Sequence, residues 1–298
     1  MNQLPVLIRR EFWEHRNTFV VLPAITTGFF VLMMLLTLLV SATDALDVSI
    51  DIQSDQNIKL FNDSMQPGDI FTLLYQGVST KESARFINVA GRWLLMGILW
   101  CVMFFYLLGS LYHDRRDRSI LFWKSMPVSD ATTVISKLVT GLWLVPLVYL
   151  VAVAILQLAS IMVLSVAALG TETSMWKTLW GSASIFSDWV QRLGGLMFYS
   201  FWALPFFGWL IAVSAYVKSV PFVWVVGAPV ALAIVERVVT RDSQLADWMW
   251  EHTAPFGFLE QGPSMMDDMW SLKMVSAVAV GGVLIIIAIW LRGKADEI

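Results

Sequence analysis

Between Lys137 and Glu172 the chain runs for 34 residues without a charged side chain. A helix needs only about 20 apolar residues to cross the hydrocarbon of a bilayer, so this run is long enough to cross and extend beyond it. It is one of several. No charge occurs from Asn17 to Thr43, and Phe19 to Val40 is nearly all apolar. Shorter apolar runs cover Trp93 to Tyr112, Leu193 to Val217, Val220 to Val235 and Leu272 to Leu291. Soluble domains carry about a quarter charged residues; this chain carries 14%, with a mean hydropathy of +0.68. The expected fold is an all-α polytopic membrane protein with six transmembrane helices in a single transmembrane domain.

The expected spans are 18–41, 92–112, 138–170, 193–217, 220–236 and 272–291. The first is too long and too apolar for the core of a cleaved signal peptide, which runs to about 15 residues, so it is expected to be retained. Pro146 suggests a kink or an extended start to the third span, and Pro221 and Pro229 interrupt the fifth. Residues 1–16 read as an interfacial helix, because Leu4, Leu7, Ile8 and Phe12 follow helical spacing while Arg9, Arg10, Glu11, Glu14 and Arg16 are polar and Trp13 marks the boundary. Segment 44–90 is an acidic outer loop broken by Gln66-Pro67-Gly68. Segment 237–271 is too short in its aromatic pieces to span, and reads as outer interfacial or re-entrant helices. Cys101, the single cysteine, lies in an apolar run and reads as a small buried hydrophobe.

Six spans place both termini on one side. With the termini cytoplasmic, the inner face carries 11 basic and 7 acidic residues against 9 and 16 outside. The inner basic residues also crowd into short segments beside the membrane, so the positive-inside rule favours termini-in.

Several kinds of chemistry are missing. The only Gly-Lys pair, Gly293-Lys294, lacks the rest of a phosphate-binding loop, so the chain is not expected to hydrolyse ATP. His15, His113 and His252 are never paired at metal-ligand spacing, and no Gly-x-Ser-x-Gly or His-Glu-x-x-His motif occurs. The spans hold no ionisable residue at mid-depth, where proton-coupled carriers place theirs. Gln157 is the most polar residue of the third span, either lining a path or bonding another helix. An enzyme acting on lipid would have to draw on Glu236, His252 and Asp267-Asp268.

The densest basic cluster lies between the second and third spans, at 113–130. Asp114, Arg115, Arg116, Asp117 and Arg118 precede Leu121, Phe122 and Trp123, and Pro127-Val128-Ser129 close the segment. Charge followed by an apolar insert reads as a short amphipathic cytoplasmic helix, with Arg and aromatic groups of the kind that anchor interfaces.

Asp114-Arg115-Arg116, Ser119-Ile120-Leu121 and Pro127-Val128-Ser129, with Ile8-Arg9-Arg10-Glu11-Phe12 at the start, resemble the permease subunit of ABC-2 type transporters. The outer loop is longer than in the simplest members. The resemblance implies a homodimer in a bacterial inner (cytoplasmic) membrane, bound to two separate ATP-binding-cassette ATPase subunits. No cofactor is expected in this chain; ATP and Mg would sit in the partner. The helix at 113–130 would be the coupling helix, through Asp114, Arg115, Arg116, Asp117, Arg118, Leu121, Phe122, Trp123 and Pro127. The implied activity is export, with a lean toward amphipathic or lipophilic cargo. The competing expectation is a membrane anchor or sensor whose outer loop recruits an envelope partner. Nothing points to nucleic acid.

Overall fold

The computed structural model describes residues 3–42, 80–117, 125, 128–167, 185–253 and 271–294. All regular structure among them is helical. In chain order the helices are α1 (Leu4–Glu14), α2 (Leu22–Ala42), α3 (Thr80–Arg116), α4 (Asp130–Val139), α5 (Val145–Ala167), α6 (Ile185–Trp202), α7 (Leu204–Tyr216), α8 (Pro221–Val239), α9 (Gln244–Thr253) and α10 (Leu272–Lys294). Two π-helical turns, Asn17–Val21 and Thr140–Leu144, join α1 to α2 and α4 to α5. Among the described residues, five helical segments can cross a membrane by length and composition, and a sixth if the bent pair α6–α7 is one span. The protein is therefore a helical membrane protein.

The boundaries differ from expectation where hydropathy and helix propensity diverge. α3 begins at Thr80, so residues 80–90 of the expected outer loop are helical; 80–85 are mostly polar, the apolar segment already begins at Phe86, and no breaker occurs before Gly91. It also continues through Arg116, which makes Asp114 to Arg116 the last turn of a long helix. Cationic side chains are favourable there against the helix dipole. The expected span 193–217 is two helices meeting at 55°. The break falls at Ala203 (φ −88, ψ 11), two residues before Pro205, whose ring cannot continue the preceding turn. α8 runs unbroken through Pro229. Cys101 is exposed rather than buried, on the same face of α3 as the exposed Phe105 one turn on; in a membrane helix the outward face is the apolar one.

The chain divides into two compact units. The smaller, from Pro23–Leu95 and Val151–Ala183, packs α2, the start of α3 and the end of α5 around Gly91. A Cβ there would come within 2.6 Å of the Leu156 side chain and 3.1 Å of Phe30, so three helices meet where one side chain is missing. Asn88 donates to Ser160 Oγ at 2.7 Å, an interhelical hydrogen bond of the kind that replaces absent water.

The larger unit, from Met1–Leu22, Met96–Leu150 and Ser184–Ile298, is built on α7. This helix is apolar all round and buried along most of its length, as expected of a central element. Its closest neighbour is α10. A Cβ on Gly281 would lie 2.8 Å from the Leu204 backbone carbon, and one on Gly208 3.0 Å from the Gly281 carbonyl. Small residues let the two backbones touch, since lipid offers no hydrophobic drive for helix pairing.

Both π turns have the same sequence cause. Leu22 N–H donates to Asn17 O and Val145 N–H to Thr140 O, five residues back. Each turn ends two residues before a proline, Pro23 and Pro146. A proline ring offers no N–H and crowds the carbonyl four residues earlier; a widened turn relieves the crowding. The kink expected at Pro146 is this π turn. Carbonyls left over in the turns are met by other helices of the unit: Tyr149 Oη donates to Thr18 O at 3.3 Å, and Ser200 Oγ, whose hydrogen also serves Leu196 O at 2.8 Å, reaches Leu142 O at 3.3 Å.

Candidate functional site: a buried ion network

Five charged residues of the larger unit are nearly sealed from solvent: Glu11, Asp114, Arg115, Lys137 and Arg292. They come from α1, the end of α3, α4 and the end of α10. Glu11 shares the buried stripe of α1 with Leu7, one turn earlier. Its Oε1 accepts from Lys137 Nζ and from Arg10 Nη2, each at 3.2 Å, and its Oε2 accepts from Tyr106 Oη at 3.0 Å. Lys137 and Glu11 are each only 3% exposed, and the same ammonium lies 3.4 Å from Asp114 Oδ2. Asp114 also accepts from Arg292 Nη1 at 3.4 Å. Arg292 Nε faces Asp130 Oδ1 at 3.2 Å, a charge-to-charge contact without hydrogen-bond alignment.

The network thus sets Glu11, Asp114 and Asp130 against Lys137, Arg292 and Arg10, three charges of each sign. Local sequence places them. Ser129 caps α4 by accepting from Thr132 N–H at 3.1 Å, which orients Asp130 into the first turn. Lys137 lies further along on the buried face, with Val134 and Ser136. Burial alone would raise the Glu11 carboxyl; Lys137 and then Arg10 outweigh it and hold the group below its ordinary value. His15, one turn from Glu11, is pushed down by burial and stays neutral at neutral pH; its ring meets Tyr106 edge-on at 5.2 Å.

Arg115 turns the other way. Its Nη1 donates to Ala215 O at 2.7 Å and contacts Val217 O at 3.4 Å, the carbonyls that α7 leaves unmet at its C-terminal end. Nearby, Leu111 N–H and Tyr112 N–H both donate to Ser214 Oγ at 3.0 Å. The turn so held leads into Val220, which has φ 47. A β-branched residue is a marked outlier there, and the strain sits directly before Pro221. Successive residues of α3 therefore reach three helices: Asp114 holds α4 and α10, and Arg115 holds α7.

Of the residues singled out in the sequence, Asp114 and Arg115 are brought into this hub. Arg116 and Asp117 are exposed and paired with each other at 3.2 Å, with the Arg116 guanidinium 5.9 Å from the Tyr112 ring. Arg118, Leu121, Phe122, Trp123 and Pro127 lie outside the described residues, as does most of the outer loop. Gln157, in the smaller unit, is half-buried, and its Oε1 has no hydrogen-bond partner among the described residues.

Of the residues that lipid chemistry would need, the described ones, Glu236 and His252, have separate local partners. Glu236 caps the start of α9, accepting from Leu245 N–H at 2.7 Å and Ala246 N–H at 3.1 Å. His252 is stacked between Trp202 and Trp248, with centroids at 4.6 and 4.4 Å, and its Nδ1 bonds Trp248 O. Asp267 and Asp268 lie outside the described residues. Among the described residues no group of three His, Cys, Asp or Glu could hold a metal ion.

No known family, curated protein or solved structure matches the chain. The network is not apparent from the sequence. Glu11 looks like polar surface, and Lys137 and Arg292 look like the punctuation that ends apolar runs. The one available signal is position: Glu11 falls on the Leu4, Leu7, Ile8 stripe rather than opposite it.

Proposed function

We propose that this chain is the permease subunit of an ATP-driven exporter of the ABC-2 type, moving an amphipathic or lipophilic substrate outward. In this reading it crosses the membrane six times with both termini cytoplasmic, pairs with a second copy, and takes its energy from separate ATPase subunits that bind ATP and Mg. The segment from Asp114 to Ser129 is the socket for the ATPase.

The observation that carries the reading is the fan of contacts behind that segment. Asp114 and Arg115 end a 37-residue helix and are tied to α4, α10 and α7 by buried polar contacts. A push on residues 117–129 would reach four membrane helices, counting α3. A loop that only fixed topology would have no need to bury two adjacent charges, which cost several kcal/mol each to desolvate unless well paired. Arg116 and Asp117 are exposed beside them, which supports assigning them to the partner's side.

Co-purification tests the reading. Arg116→Glu combined with Phe122→Ser should insert normally yet lose the ATPase subunit and transport, because this reading assigns both residues to the socket. Robust nucleotide hydrolysis by the isolated chain would sink the reading, as would full flux from the double variant.

A further inference from the structure

α1 has two faces, and the ion network uses one. Leu7 and Glu11 are buried. On the opposite face, at steps of three and four residues, lies a stripe of Val6, Arg9 and Trp13, and Arg16 follows three residues later, just past the helix end at Glu14. Such spacing stacks side chains on one side of a helix. All four are exposed; Val6 is 70% and Trp13 56% open. The third arginine, Arg10, is neutralised by Glu11 and Glu14. Arg9 and Arg16 have no acidic partner among the described residues. Two unpaired guanidinium groups therefore flank an exposed indole, with no acid in the stripe.

The neighbouring segment fixes where the stripe sits. Asn17 begins the apolar segment that runs to Leu39 and is long enough to cross a membrane. Arg16 is thus the residue directly before a candidate span, and in the interfacial reading of residues 1–16 α1 lies at the bilayer surface. An apolar residue, an indole and two cations on one outward face match the layered chemistry of that surface: acyl boundary, glycerol, phosphate. Guanidinium forks are suited to bidentate phosphate contacts.

We propose that Val6, Arg9, Trp13 and Arg16 form a site for the headgroups of anionic phospholipid. The two cations bind phosphate, and Trp13 and Val6 seat at the acyl boundary. Because Glu11 projects from the same short helix into the ion network, lipid bound on one face steadies the clamp on the other. The site rests on the membrane reading and not on transport, so it stands or falls separately from the exporter.

The test is a titration of the detergent-solubilised full chain with short-chain phosphatidylglycerol, with phosphatidylcholine as reference. A basic residue near an anionic surface contributes about 1 kcal/mol, so Arg9→Gln with Arg16→Gln should weaken phosphatidylglycerol binding roughly thirty-fold and leave phosphatidylcholine binding unchanged. Arg9→Lys with Arg16→Lys should keep most of the preference, and rising salt should erase it. In nanodiscs containing phosphatidylglycerol, amides of residues 4–16 should exchange several-fold more slowly than in phosphatidylcholine alone, for wild type only. Equal preference in wild type and the Gln variant would overturn the site. Protection reproduced by inorganic phosphate at matched concentration would also overturn it, since a free anion would then suffice.

Discussion

Replacing Lys137 with methionine isolates what the buried network is worth. The ammonium lies between two carboxylates, 3.2 Å from Glu11 and 3.4 Å from Asp114, and methionine fills nearly the same volume without charge. Removing one partner of a buried ion pair costs about 3–5 kcal/mol, because the other charge is left behind. Here each carboxylate keeps a second cation, Arg10 for Glu11 and Arg292 for Asp114. The lower end therefore applies, about 3 kcal/mol, or rather more than a hundredfold in the folding equilibrium. Adding Glu11→Gln should recover part of the loss. The double variant removes one charge of each sign, and Tyr106 Oη can still donate to the amide oxygen. Coupling of about 1–3 kcal/mol is expected between contacting residues of one network. Denaturant unfolding in mixed micelles, followed by far-ultraviolet circular dichroism, measures both quantities. A Lys137→Met cost below about 1 kcal/mol, the level of an exposed pair, would show that water reaches the site. Zero coupling would show that Glu11 and Lys137 are neighbours without being partners.

Acid should weaken the fold through Glu11. Its folded value lies below the ordinary 4.5, so its contribution is complete above the unfolded value and is lost as pH falls from there through the folded value. Glu11→Gln should flatten that part of a stability-against-pH curve below about pH 5. Gly281→Val should cost about 3 kcal/mol by overpacking, because its Cβ would meet Leu204 backbone at 2.8 Å. Gly282→Ala, with nothing within 4 Å, should be silent or stabilising; equal losses in the two would refute the close approach of α7 and α10. Ser200→Ala should leave Leu142 O unmet, costing about 1 kcal/mol, and should speed amide exchange around Thr140–Leu144, whereas unchanged exchange would show that Ser200 does not hold the π turn.

The spans are legible because bilayer thickness imposes a length on every apolar run, and that constraint is local in sequence. The same property hides the break at Ala203. Hydropathy is unchanged across 193–217, and only Pro205 marks the place where one helix becomes two. Pro23 and Pro146 are comparable signals, since each sits two residues after a π turn; hydropathy cannot register a widened turn that keeps its apolar face. The ion network is less legible for a different reason. Lys137 pairs with Glu11 across 126 positions and Arg292 with Asp114 across 178, and no periodicity carries such pairings. Sequence alone groups Arg115 with Arg116 on an outward face. Arg116 is outward, but the helical turn that exposes it points Arg115 into the end of α7.

The ion network of Glu11, Asp114 and Asp130 with Lys137, Arg292 and Arg10 is neutral in sum, so geometry rather than net field holds it together. Its contacts of 3.2–3.4 Å lie near the outer edge of good hydrogen bonds. A shift of about 1 Å at the end of α3 would take the two Asp114 contacts, to Lys137 and Arg292, beyond hydrogen-bond range, where charges in a low-dielectric site have no water to fall back on. An arrangement of that kind is either closed or re-paired, and intermediate positions are costly. Packed interfaces switch between such discrete states rather than deform continuously. Asp114 and Arg115 add direction to this, because adjacent residues on a helix project to different sides. Rotation of the end of α3 would loosen α4 and α10 on one side and α7 on the other together. Under the exporter reading, a partner acting on residues 117–129 then has a two-position element to work against, and Lys137→Met should uncouple ATP hydrolysis from transport while leaving the ATPase bound.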